Sequence, residues 1–241
     1  MTAAEARKKQ WESLKDKPLQ DKLRYIFTYY WPGIVGGLCA LIFLVSWIGN
    51  ILLQKDVALG GHFINGVAQS SYAGNLRQDF IDLYLDGTQQ DFTLTTDSSM
   101  LSDSPMDVYN GMNAIVTRIA VGDVDFMVGD LATYTQFTAY FADLRNVLTS
   151  QQLEQYKDSF VYVEKEALEA LTSDNFEIIT IPEYFLSADG LKDPIPLGIR
   201  LPANCKLLQA YKFPAGEVIF GIPQSAQNID NAMTFLAYVT N

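Results

Sequence analysis

Histidine occurs once and cysteine twice in these 241 residues, and each scarcity closes off a class of chemistry. A single histidine, His62, cannot supply the paired imidazoles of a zinc hydrolase, and neither CxxC nor HExxH is present, so metal catalysis has no support. No Ser-His-Asp or Cys-His set can be assembled around it either, so His62 is expected to be structural or solvent-exposed. The chain is read as a non-enzyme without a cofactor. Cys39 lies inside a long apolar run and Cys205 far beyond it, so a membrane span would keep them apart and no disulfide framework is expected. Cys205 is expected as a buried, inert thiol.

Positive charge is scarce beyond the first residues. Residues 1–24 carry seven Lys and Arg against four Asp and Glu, whereas the chain from Lys55 onward carries ten against twenty-four. A segment this acidic repels the phosphate backbone and shows no basic stripe interleaved with aromatics, which excludes nucleic acid as a partner. Internal repeats and low-complexity tracts are also missing, and Pro and Gly fall singly between apolar segments, as in the turns of one compact unit.

Charge is absent altogether from Tyr25 to Gln54. The most apolar part, Ile34 to Leu53, would extend about 30 Å as a helix, enough for one bilayer crossing. Tyr25, Tyr29, Tyr30 and Trp31 cluster at one flank, Trp47 lies toward the other, and Pro32 suits a first helical turn. The run is longer than a signal-peptide core and lacks a small-x-small cleavage site, so it is read as an uncleaved anchor contacting the lipid bilayer through residues 25–54. Lys and Arg precede it and only Lys55 follows closely, which predicts a single-pass protein of the cell membrane. Its N-terminal segment 1–24 would be cytoplasmic and its domain 56–241 extracellular. A short interfacial helix is expected over residues 3–16.

The domain reads as α/β. An extended run spans Val57 to Val67, and a helix follows from Gly74 to Leu85 with Leu76, Phe80, Leu83 and Tyr84 on one side. A second strand surrounds Phe92 and Leu94. Ser104, Pro105 and Asp107 form a cap, first-turn proline and acidic third position for a helix that carries Met112, Ile115, Val116 and Ile119 and ends at Gly122. Val124 to Val128 is a third strand, Ala132 to Leu148 another helix, and Thr149 with Gln152 a capping box. Beyond Lys157, Phe160–Val163, Ile178–Ile181, Leu197–Leu201 and Val218–Ile222 look extended, with helices at Glu164–Leu171 and Ile229–Val239. Alternating strands and helices imply a parallel or mixed sheet flanked by helices.

Three stretches resemble bacterial extracellular solute-binding proteins of the type II periplasmic-binding-protein fold. Ala120-Val121-Gly122-Asp123-Val124-Asp125-Phe126-Met127-Val128-Gly129-Asp130 is similar to that family's helix end, acidic turn and buried strand. Phe137 to Leu148 is similar to the following segment with its aromatic and its Asp-Leu pair. Phe220-Gly221-Ile222-Pro223 and the Asn228 to Val239 stretch resemble the closing strand and helix. The 187 residues from Lys55 are short for a two-lobed clamp, so the resemblance implies one lobe, or one lobe with a reduced second. With its Tyr-Tyr-Trp approach to the span, the build also resembles small membrane-anchored proteins of Gram-positive bacteria.

In an open parallel sheet a ligand sits beyond the carboxyl ends of the strands. That rule selects Asn65 after the first strand, Asp97, Ser98 and Ser99 after the second, and Gly129, Asp130 and Thr133 after the third. Their hydroxyls and carboxylates suit a polar or cationic small ligand, while loop capping is the other role such residues fill. Asp97, Asp103 and Asp107 raise a calcium question but lack EF-hand spacing. Asp123 and Asp125 would share a strand face, where end solvation competes with acid-base work. Two functions follow: a membrane-anchored solute-binding-like or transporter-accessory module beside another membrane protein, or a non-enzymatic scaffold that has lost its ligand cleft. An anchored hydrolase using the acidic clusters is the third.

Overall fold

The computed structural model describes residues 18–53, 55–69, 72–87, 89–172, 183–214 and 216–241. The expectations of a helix at residues 3–16 and a strand at Ile178–Ile181 lie outside them. The chain divides into two units, residues 1–54 and 55–241.

Among the described residues of the first unit, α1 (Leu19–Leu53) runs without interruption. Its stretch Trp31–Gly49, with mean hydropathy 2.0, has no buried residue and is long and apolar enough to cross a membrane once. Pro32 does not open this helix as expected but lies inside it, where it removes one backbone donor from the ladder. The helix begins at Leu19, six residues before the anchor expected over residues 25–54.

The second unit is a mixed α/β domain. Its strands are β1 (Asp56–Ile64), β2 (Val67–Ala68), β3 (Gln90–Asp97), β4 (Phe126–Asp130), β5 (Phe160–Glu164), β6 (Pro194–Arg200), β7 (Tyr211–Lys212) and β8 (Val218–Gly221). Its helices are α2 (Tyr72–Tyr84), α3 (Pro105–Ala120), α4 (Leu131–Tyr134), α5 (Leu144–Val147), α6 (Ser150–Tyr156), α7 (Lys165–Thr172), α8 (Lys206–Ala210) and α9 (Ile229–Thr240). Six strands form one sheet in the order β3-β1-β4-β8-β6-β5, and β2 pairs with β7 in a small second sheet. β1 is parallel to both β3 and β4, whereas β8, β6 and β5 each run antiparallel to the preceding neighbour.

Alternation along the strands divides the core in two. Leu59, Phe63, Phe92, Phe126, Val128 and Phe220 bury one sheet face against Leu76, Phe80 and Ile81 of α2 and Phe235 of α9. Ile64, Met127 and Ile219 bury the other against Ile115 and Ile119 of α3. Phe126 stacks between Phe220 and Phe235 at centroid distances of 5.0 and 4.9 Å, and each such buried ring contributes about 1.5–3 kcal/mol. Leu83 and Tyr84, expected on the buried face of α2, are 66% and 50% exposed, and Ile81 is buried in their place.

The cap signals hold where they were read. Ser104 accepts from Asp107 N with Pro105 in the first turn of α3, and Gly122 takes a left-handed φ of 79° just past its end. Thr149 and Gln152 form the reciprocal capping box of α6. The third strand begins two residues later than expected, at Phe126, because the Asp125 backbone and carboxylate are taken up by Gly60.

The continuous helix expected over Ala132–Leu148 does not form. α4 gives way to a 3-10 stretch, Thr135–Tyr140, and Phe141 then bridges to Pro223 before α5. Helical geometry would set Tyr134 and Phe141 about 10 Å apart along the axis. Their rings instead stack at 4.0 Å, while the Tyr134 hydroxyl donates to the Leu197 carbonyl at 2.9 Å. Burial of these two aromatics outweighs local helix propensity.

Candidate functional site

The chain leaves β1 toward β3 on one side, then crosses back over β1 to reach β4 on the other. That reversal is the topological switch point of an open α/β sheet, and ligands of such sheets sit beyond the carboxyl ends of the strands, here those of β1 and β4.

Asn65 stands there, one residue past β1, with a φ of 59° and only 2% of its surface exposed. It is the one non-glycine residue among those described with a left-handed backbone, a conformation Asn tolerates better than most side chains. Its N–H donates to the Asp97 carbonyl at 2.6 Å, tying the end of β1 to the end of β3. Its Nδ2 donates to Thr133 Oγ1 at 2.8 Å, and Thr133 in turn donates from Oγ1 and N to the two carboxylate oxygens of Asp130 at 2.9 and 3.1 Å. Asp130 is thereby the N-cap of α4.

Two features of this chain are costly. The Asn65 Oδ1 is buried with no hydrogen-bond partner among the described residues. Asp130 is 4% exposed, and among the described residues no Lys or Arg forms an ion pair with it. An orphan acceptor beside an uncompensated carboxylate makes a place that attracts a hydrogen-bond donor or a cation.

The other predicted residues join to different degrees. Asp97 accepts from Ser99 N at 2.7 Å and from the Ser99 hydroxyl, closing a turn that leads into the 3-10 helix Ser99–Leu101. Gly129 pairs with Ile219 of β8 and borders Ile64. Ser98 is exposed and its side chain makes no cap. Asn65, Asp130 and Thr133 therefore form one connected group, Asp97 touches it through its backbone, and Ser98 stands apart.

The acidic clusters have other occupations. Asp107 accepts from Ser102 Oγ at 3.1 Å and Asp97 holds Ser99, so these carboxylates do not converge with Asp103. Among the described residues no group of three potential metal-ligating side chains is assembled. Asp125 is 2% exposed and accepts from Gly60 N (2.7 Å), Gln227 N (2.9 Å), Asn228 N (2.8 Å) and Asn228 Nδ2 (3.2 Å). It joins β1 to the segment that opens α9, a structural duty that leaves no lone pair for acid-base work. Asp123, two residues earlier, is exposed, so the two do not act as a pair.

Sequence reasoning missed a polar group between α3 and the sheet. His62 is 3% exposed, its Nδ1 lies 2.8 Å from Thr95 Oγ1, and Arg118 Nη1 of α3 donates to the same hydroxyl at 2.7 Å. His62 Nε2 has no hydrogen-bond partner among the described residues. Burial, with help from the nearby Arg118 charge and against that of Asp97, lowers the imidazole pKa to about 4, so His62 is neutral near pH 7. The residues are remote in sequence, and no local spacing announces them. Cys205 is buried as expected, and burial raises its thiol pKa above the ordinary value.

No protein-family model, curated protein or solved structure matches this chain.

Proposed function

We propose that this chain is a membrane-anchored, extracytoplasmic module of solute-binding type, reduced to one lobe of a periplasmic-binding-protein-like fold and working beside a transporter or other membrane protein. The observation that carries the reading is the buried, uncompensated Asp130 and the unpartnered Asn65 Oδ1 at the switch point of the sheet. Both want a donor, so the ligand is polar and cationic in character. The apolar α1 supplies the anchor, and the basic residues that precede it in sequence support a cytoplasmic N-terminus at a bacterial cell membrane.

The test is a thermal-shift series on the full chain in detergent with polyamines, amino acids, oligopeptides, sugars and calcium. A ligand at a hundredfold its Kd adds about 2.7 kcal/mol, roughly 5–10 °C in Tm for a domain of this size. A saturable shift with a cationic member, lost in Asp130→Ala and weakened in Ser99→Ala, supports the proposal. An undiminished shift in both variants removes this site.

A second reading also has an observation behind it. Asn65, Thr133 and Asp130 already hydrogen-bond across the crevice, which is how a scaffold with a closed cleft would be built. Co-purification with one membrane partner, together with no shift across the panel, would favour that scaffold.

A further inference from the structure

A cleft of about 340 Å³ opens toward the amino ends of the parallel strands, away from Asn65 and Asp130. Val57 and Thr93 line it from β1 and β3, Arg118, Val121, Gly122 and Asp123 from the end of α3 and just past it, and Asp125, Gln227 and Asn228 from the segments beside it. Its size is at the small end of the range for ligand pockets.

Its charges are arranged unusually. Arg118 spends one Nη1 contact on Thr95 and, among the described residues, has no carboxylate partner. Asp123 lines the same cleft, is exposed, and has no cationic partner among them either. The two thus sit in one small cleft without bridging each other. A simple anion attracted to Arg118 would meet Asp123, the buried Asp125 and the negative C-terminal end of α3. A simple cation attracted to Asp123 would meet the guanidinium. The floor is shaped for close approach: Gly122 has a φ of 79°, and a Cβ there would come within 2.5 Å of Gln227 Nε2. That amide and the Thr93 hydroxyl have no hydrogen-bond partner among the described residues and remain available.

We infer that this cleft binds a small zwitterion of the α-amino-acid type, its carboxylate forked onto Arg118 and its ammonium group set against Asp123. Planar bidentate pairing with a carboxylate is the strongest interaction a guanidinium offers, and Arg118 lines the cleft with no carboxylate partner among the described residues. The inference is independent of the carboxyl-end site, which lies at the other end of β1 and β4.

The sole histidine gives a clean reporter. His62 is linked to Arg118 through Thr95, and a carboxylate on Arg118 would offset the guanidinium charge that adds to burial in keeping the imidazole neutral. The experiment titrates the full chain, isotope-labelled at histidine and held in detergent, with each neutral proteinogenic L-amino acid in turn, following the His62 ring signals by NMR. The N-acetyl and carboxamide derivatives of any amino acid that binds are then tested. The expected result is a saturable His62 shift with a raised His62 pKa in the complex, lost when either charged end is blocked. Arg118→Met should weaken binding about 10- to 100-fold, the cost of a charged hydrogen-bonded pair. Asp123→Asn, at an exposed position, should weaken it in a folded protein even if Arg118→Met does not fold. No saturable shift with any of these amino acids overturns the inference. So does equal binding of an N-acetyl derivative, or binding that survives Asp123→Asn undiminished.

Discussion

Acidification should destabilise the second unit through His62 in a measurable way. Unfolded, this imidazole takes up a proton near pH 6.5. Folded, it resists until about pH 4 because it is buried against α3 beside Arg118, with Asp97 only partly offsetting that charge. Between those values the unfolded state binds more protons, so stability falls as pH falls, and the loss is complete below pH 4. The full span of the shift amounts to about 3 kcal/mol, of which roughly 2 kcal/mol is lost between pH 7 and 5. That is a large share of a typical domain stability of about 5–15 kcal/mol. The many carboxylates also titrate toward low pH, so the quantity to measure is the difference between the parent chain and His62→Gln. All three tryptophans, Trp11, Trp31 and Trp47, lie before Lys55, so urea unfolding of the second unit should be followed by tyrosine near-ultraviolet circular dichroism. The parent should lose about 2 kcal/mol more than His62→Gln between pH 7 and 5. Equal losses in the two proteins would refute the reasoning, as would an NMR midpoint for His62 near 6.5.

Two further outcomes follow from buried groups elsewhere in the unit. Asp125→Ala strands three backbone N–H donors and one side-chain amide, and should cost roughly 3–5 kcal/mol in urea unfolding; a loss under about 1 kcal/mol would mean that water replaces the carboxylate without penalty. Gly221→Ala places a Cβ 1.8 Å from the Tyr134 hydroxyl. It should cost at least about 1–3 kcal/mol by overpacking and lower Tm, and an unchanged Tm would show that Tyr134 can move aside from Leu197.

The sequence by itself determined the features that depend on neighbours along the chain. The uncharged run to Gln54 dictated a long apolar helix, Ser104-Pro105-Asp107 fixed the start of α3, Gly122 its end, and Thr149 with Gln152 the start of α6. Alternating strands and helices established the α/β class. The carboxyl-end rule also selects Asn65, Asp130 and Thr133, because strand ends follow from strand limits. Tertiary structure alone decided where local rules compete with burial. Stacking of Tyr134 on Phe141 broke an expected helix, and Ile81 took the buried place assigned to Leu83. The four donors gathered by Asp125 come from residues as far away as Gly60 and Asn228, and the His62–Thr95–Arg118 group spans three elements. Such sites are set by which segments the sheet order brings together, and hydrogen bonds between distant residues leave no periodic trace in the chain that makes them.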